Sequence, residues 1–258
     1  MSVPLRDERV MDAELVEHER VWDGPVFGMN DDALILPSGE RVIRRQYLAH
    51  HSAVAVVALR DGQVDAKEPE VLLIRQYRHP VRARLWEIPA GLLDHPGEDP
   101  LLAAQRELAE ETQMSAATWH VLMDVFSSPG CSSEALRIFL ARDLEACSLP
   151  EGFVMEDEEA TLEPTWVPLS QAVDAACAGD IHSGTAVTGL LAAQRAWGRY
   201  CIGVRKRFLS EGGSRDVVAY SVASGERWPG LRSTDSEWLG SPCGFRYCND
   251  GNLVRNNS

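Results

Sequence analysis

The chain has 258 residues, 45% of them hydrophobic and 25% charged, which suits a globular protein with one good-sized core and an accessory segment. A formal net charge of −14 argues against a nucleic-acid partner, which would need a basic face. No apolar run reaches the roughly 20 residues of a membrane span, and the opening Met1-Ser2-Val3-Pro4 lacks the layout of a secretory signal, so a cytoplasmic protein with no membrane partner is expected.

Three zones are expected: an N-terminal β segment (1–48), a catalytic-sized domain (49–205) and a flexible tail (206–258). The first contains a hairpin between Val26 and Arg45, with Pro37-Ser38-Gly39 as its turn. Ala53 to Leu59 and Val71 to Ile74 are continuous apolar runs rich in β-branched residues, as strands buried on both faces require. Residues 99–112 predict a helix: Asp99 suits the N-cap, Pro100 the first turn, and Leu101, Ala104 and Leu108 one apolar stripe. Strands follow at Trp119 to Val125, Ala135 to Leu140 and Thr165 to Val167. Helices are expected at about 170–178 and 185–199, the second with Val187, Leu190, Leu191 and Trp197 on one side. Strands interleaved with helices indicate an α/β sandwich. From Glu211 on, Gly, Ser, Arg, Asn and Asp dominate without a sustained period. The six cysteines form no C-x-x-C pair, so reduced thiols rather than a zinc site are expected.

Chemistry concentrates in the predicted helix. Glu107 and Glu111 are four apart and share a face, with Glu110 on its edge. Like charges at that spacing oppose the helix, and its dipole disfavours anions in the C-terminal half. Taken alone, the pattern is most simply a solvated acidic face; with a bound cation it becomes a set of oxygen ligands suited to Mg²⁺ or Mn²⁺.

The wider segment settles the weighting. Gly91, Glu98, Arg106, Glu107, Leu108, Glu110, Glu111 and Met114 occupy positions that resemble the Nudix box, G-x5-E-x7-R-E-U-x-E-E-x-G-U with U aliphatic. Six residues rather than five separate Gly91 from Glu98, and Gln113 replaces the late glycine that ends the helix. Arg75-Gln76-Tyr77-Arg78-His79-Pro80, then Leu85 to Gly91, then Ser127-Ser128-Pro129-Gly130 resemble the ADP-ribose pyrophosphatase branch. So does Pro129 lying fifteen residues beyond Met114. Cys131 stands where that branch usually has an aromatic or aliphatic residue.

The resemblance implies a Nudix α/β/α sandwich around a mixed β-sheet, with the N-terminal β segment forming a homodimer. It implies hydrolysis of ADP-ribose, a small-molecule nucleoside diphosphate sugar, to AMP and ribose 5-phosphate with Mg²⁺, or Mn²⁺ in its place. By the same resemblance Glu107, Glu111 and the Ala90 carbonyl are principal metal ligands, Glu110 a ligand or its hydrogen-bonding neighbour, and Glu98 a loop tie or water-mediated contact. Arg106 would orient the glutamates, and an i,i+4 pair with Glu110 explains it equally. Arg78, with Arg75 behind it, and Glu134 are the substrate-contact candidates. Glu159 aligns with the branch's catalytic base and Glu158 is the off-by-one alternative. The same chemistry on another nucleoside diphosphate sugar or a dinucleotide is the nearest rival; a non-catalytic ADP-ribose sensor is a rival of another class.

Overall fold

The computed structural model describes residues 5, 7, 13–62, 68–93, 95, 97–149 and 162–200. The tail expected over 206–258 and the base candidates Glu158 and Glu159 lie outside the described residues.

β1 (Glu14–Asp23), β2 (Phe27–Ile35) and β3 (Val42–His50) form an antiparallel sheet in that order, the last two being the expected hairpin. The sequence reading has no strand at β1, because every residue of it is exposed and no apolar face marks it. Among the described residues the second sheet has seven strands. β4 (Ala53–Asp61), β5 (Pro69–Arg78), β8 (Met114–Phe126), β9 (Ala135–Ala146) and β10 (Thr165–Pro168) lie in the order β10-β5-β4-β9-β8. β6 (Ala83–Glu87) pairs with β5, and β7 (Ala90–Leu92) with β4. β4 and β9 run parallel and the other pairs antiparallel, so the sheet is mixed, as expected. β6 and β7 are absent from the sequence reading, being short pieces broken by Ile88-Pro89.

Two apolar layers sandwich this sheet. Val54, Val56 and Phe139 face Ala103, Ala104 and Leu108 of α1 (Pro100–Thr112). Val57, Leu73 and Ile138 face Leu169 and Ala172 of α2 (Leu169–Ala178) and Leu190 and Ala193 of α3 (Gly184–Tyr200). Burying Leu108 or Leu190 completely stabilises the fold by roughly 1.5–3 kcal/mol each. α3 approaches the sheet closely: a β-carbon on Gly189 would sit 2.9 Å from both Ile88 Cδ1 and Val57 Cγ2. Its buried stripe is Ala186, Leu190, Ala193 and, partly buried, Trp197. Leu191, expected on that side, is 43% exposed, since one residue turns the helix by about 100° away from Leu190.

α1 begins and ends as its residues dictate. Asp99 accepts a hydrogen bond from the Leu101 amide at 2.8 Å, and Pro100 occupies the first turn. Gln113 takes the left-handed conformation, φ 54° and ψ 36°, with its amide donating to the Ala109 carbonyl. A non-glycine residue there is strained, so Gln113→Gly is expected to stabilise the protein by up to about 1 kcal/mol. A thermal melt checks this: an unchanged or lower Tm removes the argument.

Candidate active site

The geometry starts from β7. Its register against β4 pairs Gly91 with Val54, a residue of the α1-facing layer, and so puts Gly91 under the helix. A β-carbon built on Gly91 would overlap the Glu107 carboxylate. The glycine is therefore what allows the helix acid to lie against the strand backbone. One residue earlier, the Ala90 amide donates to Glu111 Oε2 at 3.0 Å. Glu111 is only 8% exposed, so this bond supports a carboxylate that would be costly to bury alone.

Arg106 joins the remaining acids. Its Nη1 donates to Glu107 Oε1 at 2.7 Å and to Glu110 Oε2 at 2.9 Å. Its Nε and Nη2 donate to Glu98 Oε1 and Oε2 at 3.2 and 3.3 Å. Arg106 thus makes the i,i+4 pair with Glu110 and also bonds Glu98 and Glu107. Burial alone would raise the Glu98 carboxyl, but the bonded Arg106 guanidinium, with His95 beside it, holds it below its usual value. Burial likewise disfavours the Arg106 charge, and the surrounding carboxylates more than reverse this and raise its pKa.

Three of the four carboxylates thus share one guanidinium, and every acid in the set offers oxygen, which fits a hard divalent cation. Among the described residues no three His, Cys, Asp or Glu side chains converge into a ready-made chelate. Arg106 instead binds three of the acids directly. Glu107, Glu111 and the backbone at Ala90 are the groups that could hold an ion.

The other candidates have partners of their own. Arg78 forms a two-pronged pair with Glu87, Nε to Oε1 at 2.9 Å and Nη2 to Oε2 at 2.7 Å. The Arg75 guanidinium lies over the Trp86 ring, 5.4 Å from its centroid, and Trp86 packs against the core. Glu134 Oε1 is 3.6 Å from His50 Nδ1. Its loop is stitched to β3 by the Leu48 amide donating to the Cys131 carbonyl and the Ser133 amide to the Leu48 carbonyl, at 2.8 and 2.9 Å. Glu87 was not singled out from the sequence. The available signal was an acid between Leu85 and Ile88, in a strand facing an arginine across a hairpin.

The NUDIX domain family model matches residues 49–184. The chain is 33% identical over 234 residues to "ADP-ribose pyrophosphatase" of Mycobacterium tuberculosis, covering 91% of this chain and 95% of that protein. It is 32% identical over 157 residues to "ADP-ribose pyrophosphatase" of Bacillus subtilis, covering 59% of this chain and 80% of that one. Among solved structures, "Crystal structure of ADP compounds hydrolase" is similar with a TM-score of 0.58 and 25% identity, over 73% of this chain and 96% of that chain.

Gly91→Ala tests the cradle. The added methyl meets the far end of a flexible side chain, so the fold should survive while Glu107 is displaced. Calorimetric titration with Mg²⁺ is expected to show affinity lowered tenfold or more, about 1.4 kcal/mol, with Tm near the parent's. Undiminished affinity would remove Glu107 and its glycine from the ion site.

Proposed function

This chain belongs to the NUDIX domain family and is a pyrophosphohydrolase, and on that footing we propose that it hydrolyses ADP-ribose to AMP and ribose 5-phosphate with Mg²⁺ as cofactor. The observation that carries the reading is the set of acids around α1, held in place by Arg106, Gly91 and the Ala90 amide. Mn²⁺ would serve in place of Mg²⁺, since both favour oxygen donors.

In this reading Glu107, Glu111 and the Ala90 carbonyl hold the ion, with Glu110 and Glu98 beside them. A bound divalent cation supplies neutralisation of the charge that develops on the diphosphate oxygens. It also answers how a chain of net charge −14 accepts an anionic substrate. Arg106 fixes the rotamers of the glutamates, so that little ordering remains when the substrate arrives. Arg78 meets the diphosphate oxygens; Arg75 and Glu134 border the substrate. Water adds to one phosphorus and the bridging P–O bond breaks. The water's proton passes to a carboxylate, which we assign to Glu159 with Glu158 as the alternative. The same reading makes the protein a homodimer through its N-terminal sheet, where Leu15, Val16, Val21 and Trp22 of β1 are each more than half exposed.

A substrate screen tests the whole proposal. With Mg²⁺ present, ADP-ribose is expected to give the highest kcat/KM among ADP-ribose, ADP-glucose, GDP-mannose and NADH, with AMP as product. A better rate on another of the four would reassign the substrate, and no hydrolysis of any would end the proposal.

Two sets of variants test the roles. Glu107→Gln or Glu111→Gln should lower kcat by several orders of magnitude in a folded protein, because charge stabilisation by the ion is worth several kcal/mol. Near-normal turnover in either would remove the ligand assignment. Glu159→Gln should lower kcat by roughly 10²–10⁴-fold, the usual contribution of a positioned base, with Mg²⁺ affinity little changed. Glu158→Gln should do less; the reverse ranking would move the base by one residue, and two silent variants would place it elsewhere.

A further inference from the structure

The pairing of Arg78 with Glu87 is more than either residue's place in a hairpin explains. Along β5, Leu72 belongs to the α1-facing layer, so strand alternation carries Ile74, Gln76 and Arg78 to the same face. Glu87 lies directly opposite Ile74 and joins them there. The two partners are unequally buried: the Glu87 side chain is 9% exposed and that of Arg78 41%. A buried carboxylate therefore grips a guanidinium whose body reaches the surface. Ion pairs in such positions are poor stabilisers compared with apolar residues of similar volume, which leaves orientation as the better reason for this one. The chain then runs Glu87-Ile88-Pro89-Ala90, through Ile88 and Pro89 that are themselves fully buried, to the amide that supports Glu111. One short rigid segment thus connects the Arg78 anchor to the acid cluster on the same side of the sheet.

We propose that Glu87 is a positioning residue, whose two-pronged grip fixes the plane of the Arg78 guanidinium for the substrate's diphosphate. This rests on the hydrolase reading given above. An arginine otherwise brings several freely rotating bonds to the site, and ordering them on substrate binding weakens that binding. With both Nε and Nη2 already held, that ordering is complete before the substrate arrives. The effect of Glu87 should therefore appear in KM, run entirely through Arg78, and leave the ion site untouched.

Steady-state kinetics of Glu87→Gln, Arg78→Lys, Arg78→Ala and Arg78→Ala/Glu87→Gln test this. Glu87→Gln keeps size and one acceptor oxygen, and is expected to raise KM for ADP-ribose about tenfold. Its kcat should stay within about threefold, and its half-saturating Mg²⁺ concentration unchanged. In the Arg78→Ala background the same change should alter KM less than twofold. Arg78→Lys, which keeps the charge but cannot be gripped at two points, should raise KM as Glu87→Gln does, and it decides the matter should Glu87→Gln fail to fold. A KM unchanged in Glu87→Gln or in Arg78→Lys, or a Glu87→Gln effect as large without Arg78 as with it, overturns the inference while leaving the hydrolase reading intact. A parent protein that hydrolyses none of the four nucleotides overturns both.

Discussion

Four carboxylates meet around the C-terminal half of α1 and the loop that enters it, and the site depends on keeping them there without neutralising them. Glu107 and Glu111 repel across one helical turn by about 0.2–0.5 kcal/mol, and the helix dipole adds a penalty of similar size. A single hydrogen bond to a charged group contributes roughly 1.5–3 kcal/mol. Arg106 makes four such contacts, to Glu98, Glu107 and Glu110. The Ala90 amide makes one more, to the most buried of the acids. The donors outweigh the repulsion, so an arrangement that local helix energetics oppose becomes stable, and it keeps the surplus negative charge that the proposed cation would require.

Backbone rather than side chains supplies the other half of the site. β4 is buried along nearly its whole length and serves as the common partner of β5, β7 and β9. The short β7 can lie beside it only as a three-residue strand, which ends the stretch Ile88-Pro89 and delivers Ala90 and Gly91 beneath α1. Pro89 contributes its carbonyl, which accepts from the Val56 amide at 2.8 Å and fixes the height of β7 against the sheet. Gly91 is required by contact and not by backbone torsion, for the Glu107 carboxylate fills the place of its missing side chain.

How much of this was legible in the sequence follows from which forces act locally. β4, β5 and α1 were legible because burial on both faces, or on one helical stripe, imposes a period on the residues. The left-handed Gln113 could be anticipated because the residue ending a helix faces a conformational demand independent of the rest of the fold. The clustering of Glu107, Glu110 and Glu111 with Arg106 was legible through spacing, since i,i+3 and i,i+4 neighbours on a helix must meet. Their reading as an ion site, with Glu98 and Ala90, came instead from the resemblance to the Nudix box. What could not be read was pairing across distance. β1 has no buried face to give it a period, and Leu191 sits one residue from the buried Leu190 on a helix whose apolar residues are not confined to one stripe. The meeting of Arg78 with Glu87 depends on a register between β5 and β6 that no single-strand pattern encodes.

The N-terminal sheet shows what happens when that register is not set by burial. Both of its faces carry polar residues, so a one-residue slip would meet no hydrophobic penalty. Side-chain bonds fix it instead. On one face Arg20 donates to Asn30, Asn30 to Tyr47 and Tyr47 to Asp32, with His18 on the other Asp32 oxygen. On the opposite face Arg44 and Gln46 both donate to Asp31, and Arg44 also to Glu17. A slip would break these together, because each bond joins residues opposite or nearly opposite in the ladder. The sheet's attachment obeys the same rule: Leu48 exchanges backbone bonds with Cys131 and Ser133, and the His50 amide reaches the Ser133 hydroxyl. Since those partners lie in the loop that ends at Glu134, the register of β3 and the position of that loop are one structural variable. A change that shifts β3 by a residue must therefore move the loop or break its ties.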